Sequence, residues 1–409
     1  MHGHPISVEA KAADAARSAG PEALTAALRN SRQQTLRSFK AWATGVPDLA
    51  VPCRSELNPP LWELGHIGWF QEWWTTRNPQ LRLGVAADPD APRPASLLAG
   101  ADVLYDSGRV AHATRWGLPL PDAAATCAYL AQTLDTTLAL LAATDPAAGD
   151  ASLYFFRLCL FHEDMHNEAA LFMGHALGIP IPGLASEQRC AEGIVKLEKT
   201  THRQGWPGPG FAFDNELAGI EVDVPTCEID AAPVSNARFA AFVDAGGYDN
   251  PAWWSEPGRE WLARTGRGAP RFWRRHGSGW QRQWFGAWVD LDALATATNL
   301  NCFEAEAWCA WAGRALPTEA QWEIAALSAP EFQWGSVWEW TADAFGPYPG
   351  FMPHPYRDYS APWFDTRRVL KGASIATHAR MRHPRYRNFY TPERDDIFAG
   401  FRSCTARRA

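Results

Sequence analysis

The sequence predicts a two-part chain, an N-terminal bundle of α-helices over residues 20–185 followed by a loop-rich α+β domain over residues 195–409. Three observations carry that division. Four segments of bundle-helix length fill the first 180 residues. A Pro/Gly-punctuated stretch, IPIPGLASEQRCAEG (179–193), follows them, and beyond it short alternating strands, turns and aromatic loops take over. The length, 409 residues, allows two or three domains at roughly 150 residues each. No 20–50-residue repeat is visible.

The elements follow in order. Residues 1–18 are small, polar and Ala-rich and read as a frayed or helical tail. From Pro21 to about Gly45, Leu24, Leu28, Leu36, Phe39 and Trp42 recur at helical spacing. Pro59 and Pro60 precede LWELGHIGWFQEWWTTR (61–77), a helix that Asn78-Pro79 ends. Residues 80–119 have little periodicity and read as a long connection. LPDAAATCAYLAQTLDTTLALLAA (120–143) is helical, with Asp122 as N-cap. SLYFFRLCLFHEDMHNEAALFMGHALG (152–178) is a long apolar helix stopped at Gly178, before Pro180. In the second half, 205–235 alternates as short strands do, and SNARFAAFVDAGGY (235–248) is a capped helix ending in Gly-Gly. FEAEAWCAWAGRALPTEAQWEIAA (303–326) holds two short helices around Pro317.

Composition narrows the function. Lys+Arg is 38 and Asp+Glu 45, so the net charge of −7 argues against a nucleic-acid partner. No apolar run reaches the length of a membrane span, and the N-terminus lacks a basic start followed by an apolar core, so a cytoplasmic protein is expected. The eight cysteines are scattered without a CxxC pair, which suits reduced thiols. The chain holds 21 Trp, many in Gly/Pro-rich surroundings after position 200. Such aromatic wealth suits a pocket for a cationic or planar ligand.

His162 and His166 lie four residues apart on the long helix, so both imidazoles face one way and can reach one metal ion. His66, in a second apolar helix between Gly65 and Gly68, is the natural third ligand; the small neighbours let that helix approach a buried centre. Three neutral nitrogens leave positions open, which suits non-haem Fe(II) for oxygen chemistry or Zn(II) for hydrolysis. His162-Glu163-Asp164-Met165-His166 also matches the metalloprotease pattern HExxH, but the helix ends at Gly178 with no protease ligand pattern after it. The plain alternative is a polar His pair satisfied inside a bundle. Glu163, Asp164 and Glu168 either orient the imidazoles or form a solvated face; the second is expected for Glu163 and Asp164.

W-x-L-G-H (62–66) followed by H-E-D-M-H-N-E (162–168) resembles the DinB-like bundle of the ergothioneine-type (EgtB) sulfoxide synthases. GFAFDNE (210–216), APVSNARFAAFVDAGGYDNPAWWS (232–255), EAEAWCAWAGRALPTEAQWE (304–323), VWEWTADAFGPYPGF (337–351), VLKGAS (369–374) and YRNFY (386–390) are similar to the formylglycine-generating-enzyme fold, a C-type-lectin-like architecture. The resemblance covers about residues 20–405. It implies Fe(II) held by His66, His162 and His166. It also implies O2-dependent attachment of sulfur to C2 of the imidazole of hercynine, trimethylated histidine. Two departures matter. Met165 stands where the family has Gln. The Arg-x-x-Arg clamp for the thiol donor's carboxylates is missing from GRVAHATRWGLPLP (108–121), where Arg109 and Arg115 lack the paired spacing. The selenoneine synthase (SenA) branch, which joins hercynine to a seleno-sugar, fits that loss; a cysteine- or γ-glutamylcysteine-using synthase is the alternative.

The resemblance also implies further site residues. Tyr359 matches an active-site Tyr that donates a proton, with Tyr356 a neighbouring competitor and a plain loop Tyr packed on Trp363 the alternative. Arg387 and Asn388 hold the hercynine carboxylate or the loop that carries it, with a buried structural role in a turn the equal alternative. Asp395, Asp396 and Phe398 fall where the family builds part of the substrate wall, and Met165 joins the substrate-binding set; the family more often has an aromatic where Asp396 stands, and a carboxylate there faces the trimethylammonium, contacts sugar hydroxyls or is a plain surface Asp. ALPTEAQWE (315–323) reads as scaffold, Thr318 capping a helix with Glu319 in its first turn. Trp253, Trp254, Trp308, Trp311, Trp338 and Trp340 read as anchors, with one or two lining the pocket. The rival functions are a zinc-dependent DinB-type thiol transferase and a lectin-like binding module without catalysis.

Overall fold

The computed structural model describes residues 8–406, apart from residues 146, 148 and 218. Its helices are α1 (Val8–Arg17), α2 (Pro21–Gly45), α3 (Pro60–Trp74), α4 (Ala101–Tyr105), α5 (Ala123–Ala142), α6 (Asp150–Leu177), α7 (Asn236–Asp244), α8 (Glu256–Thr265), α9 (Cys302–Trp311) and α10 (Glu319–Ser328). The bundle consists of α2, α3, α5 and α6, with α2 packed along α6 and α3 along α5. The predicted stops and starts act as read: Asp122 accepts from the Ala125 amide, and Gly178 takes the left-handed conformation that closes α6.

Helix α3 is apolar on every side, and it is buried on nearly every side. Its glycines serve a purpose other than the one expected. A Cβ on Gly65 would lie 2.2 Å from the Tyr105 ring, and one on Gly68 3.1 Å from Leu130. They admit α4 and α5 to the α3 surface, rather than admitting α3 to the metal centre.

Two segments are more ordered than expected. Residues 8–17 of the tail form α1, and Arg17 reaches across to Glu216 with bonds of 2.7 and 2.9 Å. The expectation for residues 1–7 lies outside the described residues. The connection 80–119 contains α4 and short turns at Leu81–Ala86 and His112–Gly117. Side chains of α3 dock it: Trp62 Nε1 donates to the Leu104 carbonyl and Trp69 Nε1 to Asp102. Order of that kind leaves no periodic trace in the segment itself.

The second half is built on two four-stranded sheets. One runs Ile194–Leu197, Cys227–Asp230, Cys404–Thr405, Arg314–Ala315 in spatial order; the other runs Asn388–Tyr390, Arg368–Gly372, Trp338–Ala344, Ala399–Gly400. A three-stranded meander over 273–290 and a hairpin of 200–204 with 220–224 complete it. Ser235 caps α7, and Thr318 caps α10 in a capping box with Gln321. The structure has no disulfide among the described residues. No described helix is long and apolar enough to cross a membrane.

The halves are fastened through α6. Glu168 accepts from Ser374, Thr377 and Trp338 Nε1, and Asp164 from Arg380 and Ser31. Glu163 pairs with Arg32 inside the bundle. None of these acids orients an imidazole. Glu163 and Asp164 are not on a solvated face either, being 2% and 1% exposed. The i, i+1 and i, i+2 neighbours of a ligand point away from it on a helix, and here that direction leads into other packing.

Candidate metal centre

His66 from α3 meets His162 and His166 from α6. One ligand nitrogen from each lies within 4.8 Å of the others, and the Nε2 atoms of His162 and His166 are 3.2 Å apart. Two nitrogens bound at about 2.1 Å to one ion would be about 3.0 Å apart at a right angle and about 3.4 Å apart at a tetrahedral one. The His162–His166 spacing fits one shared ion of either geometry.

Each ring is held from behind. The His66 Nδ1 lies 2.8 Å from the Tyr105 carbonyl oxygen, which makes Nδ1 the protonated nitrogen and turns the Nε2 lone pair inward. Trp62 stacks on the same ring, centroids 4.8 Å apart and planes 8° apart. Phe70 stacks on His162 at 3.5 Å. The His166 Nδ1 lies 2.6 Å from Glu63 Oε2. Burial, and then the neighbouring His166, pushes His66 down to about 3; burial foremost puts His162 well below the usual histidine range. Both present neutral lone pairs, the form that binds a metal. Burial alone would raise Glu63, but His166 outweighs it and the carboxyl falls to about 2.

Glu63 is the residue that sequence reasoning missed. It sits inside the W-x-L-G-H motif as the unspecified position, one turn before His66, and reaches the ligand on the opposite helix. Carboxylate backing of a ligand histidine is a common second layer of metal sites, and a buried acid at i−3 from a ligand was the available signal.

The three rings open onto a cavity of about 510 Å³, which Met165, Tyr356 and Tyr359 also line. The Tyr359 hydroxyl bonds that of Tyr386 at 2.9 Å, and Tyr386 in turn donates to Met165 Sδ at 3.6 Å. Tyr359 stacks on Phe213 rather than on Trp363. The Tyr356 ring meets Phe70 edge-on at 4.9 Å and lies 6.3 Å from His162. Both tyrosines line the cavity, and the Tyr356 ring is the one in contact with a ligand imidazole. Tyr359 has a hydroxyl chain behind it for a proton; Tyr356 has none among the described residues.

The other expected substrate residues do not line this cavity. Arg387 is 2% exposed and committed to Glu319, the Asn215 and Gly346 carbonyls, and the face of Tyr348. It braces the loop, the second of the two roles expected of it. Asn388 turns its Oδ1 to the Phe389 amide, and it is the Phe389 ring that reaches the cavity. Asp395 is held by Arg267 and Arg271, and Asp396 by Arg394. Phe398 packs among His175, Trp284 and Phe285. A charged residue in a loop looks the same in sequence whether its partner is a ligand or another buried side chain.

Nor do the singled-out tryptophans reach it. Trp254, Trp308, Trp338 and Trp340 spend their N–H groups on Gly247, Arg238, Glu168 and Leu300. Trp62 and Trp363 line the cavity instead. Arg115 lines it too, whereas Arg109 pairs with Asp106 beside an adjoining cavity of about 270 Å³. The two guanidinium groups do not converge as a clamp.

Residues 186–336 and 333–407 match the family of sulfatase-modifying factor enzyme 1-like domains. A hercynine oxygenase of Mycobacterium tuberculosis is 32% identical over 93% of this chain and 98% of its own length. A hercynine oxygenase of Mycolicibacterium smegmatis is 33% identical with the same coverage. A formylglycine-generating enzyme of Streptomyces coelicolor is 28% identical over 48% of this chain and 83% of its own. With relatives matched from end to end across both halves, the chain belongs to the hercynine oxygenase family.

Proposed function

We propose that this chain is an O2-dependent non-haem Fe(II) enzyme that joins a chalcogen atom to C2 of the hercynine imidazole, and that its donor is a seleno-sugar. The convergence of His66, His162 and His166 on an open cavity is the observation that carries the first part. A bound Fe(II) would supply the activation of dioxygen. The chain's own residues would do the rest. Phe389, Tyr356 and Trp363 offer aromatic faces to a trimethylammonium group. Tyr359, backed by Tyr386, would hold or pass a proton at its hydroxyl oxygen. The net change breaks C2–H and Se–H bonds and forms C–Se, a two-electron oxidation in which dioxygen takes up the two hydrogens and leaves as hydrogen peroxide.

The donor reading rests on the fate of the arginines. A thiol donor with two carboxylates wants two guanidinium forks. Arg115 is spent on Asn58 and on the face of Trp62, and Arg109, exposed with its Nε on Asp106, does not line the cavity of the three histidines. Asp106 and Asp358 stand at the adjoining cavity, where they would repel carboxylates and accept hydroxyls.

The test is an assay of the iron-loaded chain, with and without air, on hercynine plus seleno-glucose, cysteine or γ-glutamylcysteine, read by mass spectrometry. A hercynine–selenium product formed only in air is expected. Exclusive turnover of a thiol amino acid would remove the selenium assignment. Turnover without oxygen on a zinc-loaded protein would remove the iron one. Tyr359→Phe is expected to lower kcat by about a hundredfold or more while leaving hercynine binding intact.

A further inference from the structure

The chain of contacts behind His166 does not end at Glu63. Asn58 Nδ2 donates to Glu63 Oε1 at 2.6 Å, and Arg115 Nη1 donates to Asn58 Oδ1 at 2.8 Å. The amide can sit only one way round: Arg offers donors alone and a carboxylate acceptors alone, so an Asn between them turns its oxygen to the first and its nitrogen to the second. The Arg115 guanidinium also lies 3.7 Å over Trp62, whose other neighbour is the His66 ring. One cation thus touches the supports of two ligands on α3 and α6. Its Nη2 also reaches the Val110 carbonyl at 3.5 Å, while its Nε is buried and makes no hydrogen bond.

We infer that Arg115 is a positioning residue for the metal centre, acting on His166 through Asn58 and Glu63. The Arg115 charge fixes the Asn58 amide, the amide fixes one oxygen of Glu63, and the other oxygen then holds the His166 Nδ1 proton. A carboxylate pinned in this way keeps the imidazole turned toward the ion and raises its basicity. Without Arg115 the amide can rotate, and Glu63 loses the partner that aligns it. The inference rests on the metal-centre reading above, and goes beyond it in assigning a role to a cavity-wall arginine that touches no ligand.

The test is a double-mutant cycle read by metal affinity. Apparent Fe(II) and Co(II) dissociation constants are measured by chelator competition for the wild type, Arg115→Met, Glu63→Gln and the double variant. The Co(II) ligand-field spectrum is recorded alongside. Glu63→Gln is expected to weaken binding about 10–100-fold, and Arg115→Met about 3–10-fold with a shifted Co(II) band. In the Glu63→Gln background, Arg115→Met is expected to add nothing beyond about twofold. Arg115→Lys, which keeps the charge but loses the fork, enters the same cycle should the Met variant fail to fold. Wild-type affinity and spectrum in a folded Arg115 variant, or effects that multiply in the double variant, overturn the inference while leaving the metal-centre reading standing. A wild-type chain that binds neither metal overturns both.

Discussion

Buried carboxylates serve differently in the two halves of this molecule. In the second half three buried ones meet a full positive charge: Glu323 meets Lys371 and Arg385, Glu339 meets Arg402, and Glu319 meets Arg387. In the helical half Glu63 meets an imidazole and an amide, and the nearest guanidinium stands one residue further off. A carboxylate already matched by Arg or Lys has no charge to lend. One matched by an imidazole can pass its charge through the ring to whatever the ring holds. Helix α6 carries both kinds of neighbourhood within one turn, with Glu163 and Asp164 matched by arginines while His162 and His166 face Glu63 and His66.

The largest effect that separates these kinds is expected at Arg402. It and Glu339 are wholly buried, and its Nε and Nη2 both bond the carboxylate. Arg402→Met would leave a buried carboxylate with only the Trp322 N–H beside it, at a cost of about 3–5 kcal/mol. Denaturant unfolding should show the lost stability, while metal affinity of the folded fraction stays at the wild-type value. A fall in affinity there would break the division between the halves.

A smaller effect, with the opposite signature, is expected at Gly65. An alanine methyl would meet the Tyr105 ring at 2.2 Å, and a ring held by α4 cannot slide away without moving its own carbonyl, the one that fixes His66. Gly65→Ala should cost about 1–3 kcal/mol by overpacking and weaken metal binding with it. Gly68→Ala is the control: it meets the ends of Leu130 and Tyr129 at 3.1 Å, and should cost less and leave the metal alone. Equal metal affinity in the two variants would sever Tyr105 from the centre.

These cases also explain what the sequence made legible. The i, i+4 pair His162 and His166 fixes its own geometry through helical repeat, so it could be read directly; His66 could be added because an apolar helix has few reasons to carry a histidine. The bundle helices, their caps and the Thr318 box were legible for the same local reason. The partners of Arg387 and Asp395, Glu319 and Arg271, lie far along the chain and leave no periodic mark, whereas the Arg394 that holds Asp396 stands only two residues away. Segment 80–119 was read as a mere connection because its order comes from Trp62, His66 and Trp69 of another helix. Glu63 belongs to both classes: it is visible within a motif, yet its partner lies 103 residues away.

The smallest effect concerns a carboxylate in the second half that no ion pair claims. Glu304 is buried in the first turn of α9, where it accepts from the Tyr248 hydroxyl and the Asn301 amide. Burial foremost, against those hydrogen bonds, pushes it up to about 7 from an ordinary 4.5. An acid whose pKa is higher folded than unfolded carries an extra proton in the native state between the two values. Stability contributed by Glu304 is therefore complete below about 4.5 and is lost as the pH rises toward 7, the reverse of what Glu323, lowered to about 2, contributes on the acid side. Glu304→Gln, a permanent mimic of the protonated form, should flatten the pH dependence of unfolding between pH 5 and about 7 relative to the wild type. Metal affinity should be untouched, since α9 stands outside the centre. An unchanged slope would mean that Glu304 stays ionised, and that a buried carboxylate in this half needs no cation to remain so.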